Sequence, residues 1–304
     1  MKIAVVRHSG PEHTSSDIVA IQGKMSDAGF ECDVQDWDDP HVRWSQYSMI
    51  ILTSLVDYVE QAEEFLLWVK NLEASQNPCR LRNNPRMIRW NCNKKYLLDL
   101  ESRGIRIPVT IWLDPTCTEK EDIGKKIHNG LQKYGGAVKE IIVKNIVGAG
   151  GEEVWKCETN DGRALDKIQQ QLMSPGGRFG VMVQQFLPEI LTYGEWSLIY
   201  FDKEFSHAAI KKPAANQTTE FRVQNHYGGT FEIVSCDRVP KALIDFGHSV
   251  ISTVEDDLLY ARVDVVMLAD NTPCLMELEV LDCFLFLSEP SHMDKYFSAI
   301  LRHL

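Results

Sequence analysis

The sequence predicts an α/β protein in two parts: a small parallel α/β unit, followed by antiparallel sheet and helices in an α+β arrangement. Two observations predict this division. Up to about residue 85, short apolar runs alternate with amphipathic stretches at helical spacing, which is typical of parallel sheets. Beyond that point, apolar runs are joined by short glycine or polar turns, which favour antiparallel neighbours.

The first part contains three predicted strands and two predicted helices. The first helix, over 14–30, has Ser, Thr and Asp near its start and Gly29 near its end. The second, over 58–75, is amphipathic, and its apolar side is formed by Phe65, Leu66, Val69 and Leu72. The predicted strands cover residues 2–6, 30–37 and 48–54.

The second part begins with a predicted loop, a helix over 94–102, Gly104 and a strand. A strand, a glycine turn and another strand span 140–158, and a strong apolar strand ends at Pro188. Residues 195–213 read as a hairpin that turns at "DKE". Three more helices are predicted over 118–136 (closed by Gly135 and Gly136), 240–257 and 290–304. The expected domains are 1–88, 89–183 and 184–304.

Composition excludes several classes of protein. The formal net charge of -11 disfavours nucleic acid or an anionic membrane surface as the main partner. The opening residues read as a strand and not as a secretory signal, and no apolar stretch approaches the roughly 20 residues that span a bilayer. The eight cysteines are scattered without a CxxC pair, which favours reduced thiols in a cytoplasmic protein.

One stretch, "RVDVVMLADNTPCLMELEV", places three carboxylates inside two runs that otherwise read as buried strand. Side chains two residues apart share a face of a strand, so Asp264 points with Arg262, and Leu275, Glu277 and Glu279 are expected to share a face. If the runs pair as a hairpin across "ADNTP", the carboxylates converge as a Mg²⁺ site would require. A solvated sheet face with Arg262 as a surface partner is the alternative.

A second stretch combines Lys144 with a glycine-rich turn containing Gly148, Gly150 and Gly151. Glycine lets backbone N–H groups approach phosphate oxygens, and the lysine supplies positive charge. The turn is not a Walker A loop, because no GK[ST] follows, and it is not a dinucleotide fingerprint, because a β-run follows. The alternative is a plain hairpin turn with a surface lysine.

Two further stretches are candidates for ligand binding. "VQQFLPEI", over 183–190, reads as a hinge whose free backbone groups could pair with a base edge, or as an ordinary core strand. The region after 208 concentrates basic side chains in an acidic protein, which suits a triphosphate or carboxylate but also a solvated loop. Those side chains are Lys211, Lys212, Arg222 and His226.

The order of these motifs resembles the ATP-grasp superfamily from about Arg89 to the C-terminus. A helix lysine is followed by strand–Lys–glycine turn, hinge with an acid, Lys-Pro and Arg/Gly-Gly loop, and Asp…Glu-x-Glu. "RWNCNKKYLLDLESRGIRIPVT", "VQQFLPEILTYGEWSLIYFDKEFSHAAIKKP", "FRVQNHYGG" and "YARVDVVM…LMELEVLD" look like the glutathione-synthetase-like subgroup that includes the D-cycloserine-forming ligase. The resemblance implies three subdomains after a Rossmann-like N-terminal domain, with ATP between two antiparallel sheets.

The resemblance also implies roles for individual residues. Lys94 matches the lysine before the first β-run of the grasp, and Lys144 matches the phosphate-binding lysine. Gly148 to Gly151 would form a flexible lid over the phosphates. The adenine hinge would be Gln184, Gln185, Phe186 and Leu187, with Glu189 or Glu195 reaching the ribose. Lys211 and Arg222 would lie near the triphosphate and the acyl phosphate. The Mg²⁺ ligands would be Asp264, Glu277 and Glu279.

The sequence departs from the family pattern at three points. Asn145 stands where many members have proline, and Glu279 stands where many have asparagine, although the subgroup resembled here also carries glutamate. "LDCF" replaces the more usual acid-proline, which affects the wall on the acceptor side.

The resemblance implies an ADP-producing ligase that uses ATP and Mg²⁺ to join a small amino-acid-like carboxylate to an amine through an acyl phosphate. An intramolecular cyclase is the sharper form of this hypothesis. The partners expected are small molecules, with no nucleic acid and no membrane, and the family often forms homodimers. Two alternatives are a catalytically silent ATP-binding regulatory module and a kinase-like phosphotransferase.

Overall fold

The computed structural model describes residues 1–7, 14–75, 80–133, 138–215 and 220–304. The predicted helix end at Gly135 and Gly136 and the loop at 216–219 lie outside these residues. The described residues form three β-sheets and nine α-helices. None of the helices in this part of the chain is both long and apolar enough to span a membrane.

The first sheet is parallel, in the order β2-β1-β3-β4, which confirms the predicted N-terminal α/β unit. Its strands are β1 (Lys2–Arg7), β2 (Glu31–Asp36), β3 (Met49–Leu52) and β4 (Leu81–Arg82). Ser15 caps α1 (Ser16–Asp27), because its hydroxyl accepts from Ile18 N. α2 (Ala62–Ser75) buries Phe65, Val69 and Leu72 against the sheet's own core cluster.

The second sheet is antiparallel, in the order β5-β8-β6-β7. Its strands are β5 (Thr110–Leu113), β6 (Glu140–Asn145), β7 (Trp155–Glu158) and β8 (Val181–Gln185). Two helices, α5 (Lys120–Lys133) and α6 (Ala164–Leu172), pack against it and share one apolar cluster with it.

The third sheet is also antiparallel, in the order β11-β10-β9-β12-β13. Its strands are β9 (Glu195–Phe201), β10 (Glu204–Lys212), β11 (Thr230–Val234), β12 (Tyr260–Met267) and β13 (Pro273–Glu279). The remaining helices are α3 (Pro85–Asn91), α4 (Tyr96–Ser102), α7 (Glu189–Thr192), α8 (Lys241–Ser252) and α9 (Pro290–Arg302). The predicted hairpin turn is confirmed, since Asp202 and Lys203 both have positive φ, as a two-residue type I′ turn requires.

The two faces of the third sheet pack against different parts of the molecule. Leu198 and Tyr200 of β9 pack in a cluster with α8 and α4. Ile199 and Phe201 face the other way, into a cluster that joins α9 to α1 and the first sheet. Glu195 lies on that second face, near the start of β9, so the site residues continue the same face of the sheet.

Several elements differ from the prediction. The expected loop before residue 94 contains α3, which Asn84 caps by accepting from Met87 N and which Pro85 opens. α4 begins at Tyr96 and not at Lys94, and α6 and β11 were not predicted at all. β8 also runs through the domain boundary expected at 183.

Candidate active site

A cavity of about 360 Å³ lies between the second and third sheets. It is lined by all the predicted site residues except Glu189. These are Lys94, Lys144, Gly148, Gly150, Gly151, Gln184, Gln185, Phe186, Leu187, Glu195, Lys211, Arg222, Asp264, Glu277 and Glu279. The structure therefore brings five separate stretches of the sequence to one place.

The predicted hairpin across "ADNTP" is present as β12 and β13, and it brings the three carboxylates together. Asp264 lies directly opposite Glu277, and Arg262 lies directly opposite Glu279. The expectation that Leu275 shares a face with Glu277 is wrong, because a β-bulge follows the Asp264–Glu277 pair. The bulge turns Met276 and Glu277 both toward the cavity and leaves Leu275 in the core behind the sheet.

Asp264 is buried, and its carboxylate contacts three polar side chains. Its carboxylate accepts from the Ser197 hydroxyl at 2.6 Å and from Arg262 Nε at 3.0 Å, and Lys211 Nζ lies 3.2 Å away. Burial alone would raise the pKa of Asp264, but Arg262 and Lys211 hold the pKa below its usual value. The alternative of a solvated sheet face is wrong, since Asp264 is buried and its partner Arg262 has only 13% of its side chain exposed.

Glu277 faces two lysines. Lys94 Nζ lies 3.5 Å and Lys144 Nζ 3.4 Å from its carboxylate, and these charges hold the pKa of Glu277 far below normal despite its burial. Glu279 differs: burial, with Glu277 and Asp282 nearby, raises its pKa to about 8. Arg262 Nη2, at 3.9 Å, is a distant partner for it.

The donor set fits Mg²⁺ in chemistry but is not a preformed cage. Three carboxylates on adjacent strands are hard oxygen ligands of the kind that Mg²⁺ takes. Within the described ranges, however, no group of three acidic, His or Cys side chains already converges as a metal site, and lysine or arginine contacts each carboxylate. Because Mg²⁺ keeps waters and takes phosphate oxygens as ligands, these residues suit an ion that arrives with a nucleotide.

Lys211 and Glu195 form a buried ion pair at 2.5 Å beside Asp264. Burial alone would lower the pKa of Lys211, but the two carboxylates raise it. Burial raises the pKa of Glu195, and Lys211 opposes that effect. Glu195 therefore lies in the charged cluster as a partner of Lys211, a position that the expected ribose contact did not anticipate.

The glycine turn between β6 and β7 covers one side of the cavity. Gly150 and Gly151 have φ of +63° and +76°, which side-chain-bearing residues rarely adopt. A Cβ on Gly151 would lie 3.0 Å from Gln224 Oε1 and 3.2 Å from the Tyr227 ring. The Tyr227 hydroxyl donates to Gly151 O at 3.3 Å, so the turn touches the loop after β10.

Lys94 also supports this turn, because its Nζ donates to Gly148 O at 2.5 Å. The structure explains why asparagine stands at position 145, where many members of the resembled family have proline. Its amide donates to Glu153, and its Oδ1 accepts from Gln171 Nε2 at 2.9 Å. Asn145 thus fixes the base of the turn through hydrogen bonds that proline could not make.

One end of the cavity is apolar. Ile142, Phe186, Leu187, Ile190, Val223, Val266 and Cys274 form a cluster there, with Met276 packed against it. The predicted hinge was expected to offer free backbone groups to a base edge. Two of its N–H groups already donate within the protein: Gln185 N to Val109 O and Phe186 N to Glu140 O. Glu189 is turned away from the cavity lining, and its Oε1 accepts from Ala269 N at 3.2 Å.

Arg222 is held by residues that the sequence did not single out. Glu220 accepts from its Nε at 2.9 Å and from its Nη2 at 2.8 Å, and the guanidinium lies 3.4 Å over the Tyr227 ring. The hydrogen bonds from Arg222 lower the pKa of Glu220 to about 2. In the sequence, the one signal of this ion pair was the acidic Glu220 two positions before Arg222. Lys212 and His226 do not line the cavity.

Two family descriptions match parts of the chain. Residues 3–83 match the N-terminal domain of D-cycloserine synthetase DcsG, and residues 115–269 match the ATP-grasp domain of prokaryotic glutathione synthetase. The cycloserine biosynthesis protein DcsG of Streptomyces lavendulae is 24% identical over 259 residues, which are 83% of this chain and 81% of that protein.

Solved structures share the fold along the whole chain. The crystal structure of D-cycloserine synthetase DcsG matches with a TM-score of 0.83 at 22% identity, over 100% of both chains. A RimK-domain ATP-grasp protein from Sphaerobacter thermophilus matches with a TM-score of 0.66 at 15% identity, over 99% and 98%. D-alanine–D-alanine ligase from Bacillus anthracis matches with a TM-score of 0.63 at 13% identity, over 100% and 97%. The predicted fold is confirmed.

Proposed function

Because this chain belongs to the ATP-grasp family of the prokaryotic glutathione synthetases and is therefore a ligase, we propose that it joins a small amino-acid-like carboxylate to an amine at the expense of ATP. The proposed intermediate is an acyl phosphate, and the proposed products are ADP, phosphate and a C–N bond. The observation that carries this proposal is the convergence of three carboxylates and three lysines on one cavity between two antiparallel sheets.

The cavity suggests how ATP would lie. Its apolar end, next to Phe186 and Leu187, suits the adenine, because a base buries a flat apolar face. Lys94, Lys144 and Lys211 then lie toward the triphosphate, where positive charge is needed. Bound Mg²⁺ at Asp264, Glu277 and Glu279 would neutralise charge on the phosphate oxygens.

The protein's own residues would act mainly by positioning and by charge. Lys144, whose Nζ lies 3.4 Å from Glu277, would contact the transferring phosphoryl group. Arg222, held in one orientation by Glu220 and Tyr227, would hold the acyl phosphate through its planar fork. The turn at Gly148–Gly151 would exclude water, which otherwise hydrolyses an acyl phosphate.

The sharper form of the proposal is an intramolecular cyclase, in which one substrate supplies both the carboxylate and the nucleophile. Its support is similarity to a protein named D-cycloserine synthetase over the N-terminal domain and over the whole fold. The identity of 24% leaves the substrate itself to be found by experiment.

Hydroxylamine trapping tests the proposal, since it converts an acyl phosphate to a hydroxamate. Amino acids and their derivatives are incubated one at a time with ATP and Mg²⁺, with and without hydroxylamine, and phosphate and hydroxamate are measured. We expect hydroxamate with a subset of acids and none with Glu277→Gln. The matched control is Glu204→Gln, an exposed residue on β10 outside the cavity lining.

Each outcome separates the candidates. Phosphate released from one acid without added amine supports the cyclase, whereas a requirement for a separate amine supports intermolecular ligation. Phosphate that stays bound to an organic acceptor would replace the ligase proposal with a kinase-like reaction. ATP binding without hydroxamate or phosphate for any acid would favour a silent module.

A further inference from the structure

The cavity has a second apolar end, formed by three phenyl rings that we call the aromatic wall: Phe231, Phe284 and Phe286. Phe286 lies 4.8 Å from Phe284 and 4.9 Å from Phe231 between ring centroids, and Phe231 lies 6.0 Å from Phe284. All three contacts are edge-to-face, the arrangement that aromatic rings prefer. Phe231 is 41% exposed, so the wall presents apolar surface to whatever enters.

The aromatic wall lies next to the charged residues of the cavity. Phe231 on β11 is directly opposite Lys211 on β10. Phe284 O accepts from Arg262 Nη1 at 3.5 Å, and Arg262 is the partner of Asp264. A nucleotide with its base at the Phe186 end and its phosphates among the lysines would leave the wall free for the second substrate.

Hydrogen bonds hold the backbone of the aromatic wall in place around Phe286. Phe286 has a φ of +54°, a conformation that costs energy for a residue with a side chain. The buried Asp17 carboxylate accepts from the amides on both sides of it, Leu285 N at 2.5 Å and Leu287 N at 2.9 Å. His207 Nε2 pairs with Leu285 O at 2.9 Å. Asp17 on α1 therefore acts as a positioning residue for Phe286.

We propose that the aromatic wall is the side-chain subsite of the non-nucleotide substrate and that it takes an aromatic side chain. This inference rests on the proposed function, because it names the class of acid that the ligase would activate. Asp282 lines the same cavity, and its negative charge favours a substrate ammonium group and disfavours an acidic side chain.

Calorimetric titration tests the subsite without requiring turnover. The full-length protein with Mg²⁺ and a non-hydrolysable ATP analogue is titrated with the D and L forms of phenylalanine and of serine. We expect one form of phenylalanine to bind at least about tenfold more tightly than either serine, since an apolar pocket discriminates side chains by this order. Serine binding as tightly as phenylalanine, or no binding of either phenylalanine, would overturn the inference.

Two variants assign the effect to the wall. Phe231→Ala should reduce the preference for phenylalanine about tenfold and leave binding of the ATP analogue unchanged. The matched control is Phe297→Ala on α9, which removes a ring in edge contact with Phe30, outside the cavity lining. An unchanged preference in Phe231→Ala, or an equal loss in Phe297→Ala, would count against the subsite.

Asp17→Asn tests the positioning role. The amide nitrogen cannot accept one of the two hydrogen bonds, so phenylalanine should bind more weakly while the ATP analogue binds as before. Equal weakening of both ligands would mean that Asp17 is merely structural. Because hydroxamate formation is measured separately, a protein that binds phenylalanine but forms no hydroxamate would refute the ligase proposal and leave the subsite standing.

Discussion

Asp264 and Glu277 face each other directly across β12 and β13, and a β-bulge begins immediately beyond the pair. The bulge turns an additional residue of β13, Met276, toward the cavity beside Glu277. One irregularity in one strand thus places a carboxylate and an apolar contact side by side, where the charged and apolar parts of the cavity meet.

Glu277→Gln should reduce the Mg²⁺- and ATP-dependent rate by at least about 100-fold, because even groups that only orient metal ligands cost 10- to 100-fold. The glutamine keeps the shape but removes the charge that Lys94 and Lys144 contact. Phosphate release is measured across a Mg²⁺ titration, with Glu204→Gln as the control. A full rate at saturating Mg²⁺ would exclude Glu277 as a necessary ligand.

Lys211→Met should destabilise the fold by about 3 kcal/mol, because it leaves the buried Glu195 carboxylate without its cation. Adding Glu195→Gln should recover at least about 1 kcal/mol in the Lys211→Met protein, although it destabilises the wild type. Urea unfolding of the wild type, the two single variants and the double variant completes this double-mutant cycle. Lys241→Met, in an exposed pair with Asp245, should leave stability nearly unchanged. Additive effects would mean that Lys211 and Glu195 are not coupled.

Gly151→Ala should lower kcat/KM for ATP about fivefold or more, because a Cβ at φ +76° is strained and meets Gln224 and Tyr227. The control is Gly162→Ala, where the φ is ordinary and the added Cβ meets nothing within 4 Å. Steady-state kinetics with varied ATP would show the difference. Equal kinetics in the two variants would remove the turn from the proposed lid.

Arg222→Lys should lose nearly as much activity as Arg222→Ala, about tenfold or more. Lysine keeps the charge but cannot make the two-pronged contact with Glu220 or stack flat on Tyr227. The control is Arg238→Lys, at an exposed arginine on the surface. If Arg222→Ala kept kcat/KM within about threefold of the wild type, near 0.6 kcal/mol, the role of Arg222 would be wrong.

His207 should make the fold sensitive to acid. Burial, together with the stacked His292 and the nearby Lys295, lowers its pKa from 6.5 to about 3. The unfolded chain takes up a proton below about pH 6.5 that the folded chain refuses until about pH 3. Stability therefore falls as pH falls through this window.

The expected slope from His207 is about 1.4 kcal/mol per pH unit. Urea unfolding of the wild type and His207→Gln at several pH values between 7 and 4 measures it, since other groups contribute equally to both proteins. The variant should lose less stability per pH unit. Parallel curves would show that His207 is protonated in the folded state as easily as in the unfolded state.

Elements defined by local pattern were predicted well. The parallel N-terminal unit, the Asp202–Lys203 hairpin and the pairing of β12 with β13 follow from apolar periodicity and turn residues. The short α3 was missed, because its two turns contain too few apolar positions to show a period, although Asn84 and Pro85 signalled its start.

The sequence predicted which residues form the candidate site better than it predicted the contacts between them. Every predicted residue but Glu189 lines the cavity, because the order of the motifs carries that information. Sequence spacing could not indicate that Glu195 would pair with Lys211, or that Glu220 would hold Arg222. These contacts depend on which strands pair and in which register.

The sequence by itself determined the fold class, the hairpin that carries the carboxylates and the residue types that suit phosphate and Mg²⁺, because periodicity and turn chemistry act over a few neighbouring residues. Only the tertiary structure decided the bulge beside Glu277, the contact of Gly151 with Tyr227 and the support of Phe286 by Asp17, whose partners lie far apart in the chain. Such contacts form only when separately folded layers pack, and packing selects among side-chain and backbone geometries that local pattern leaves open.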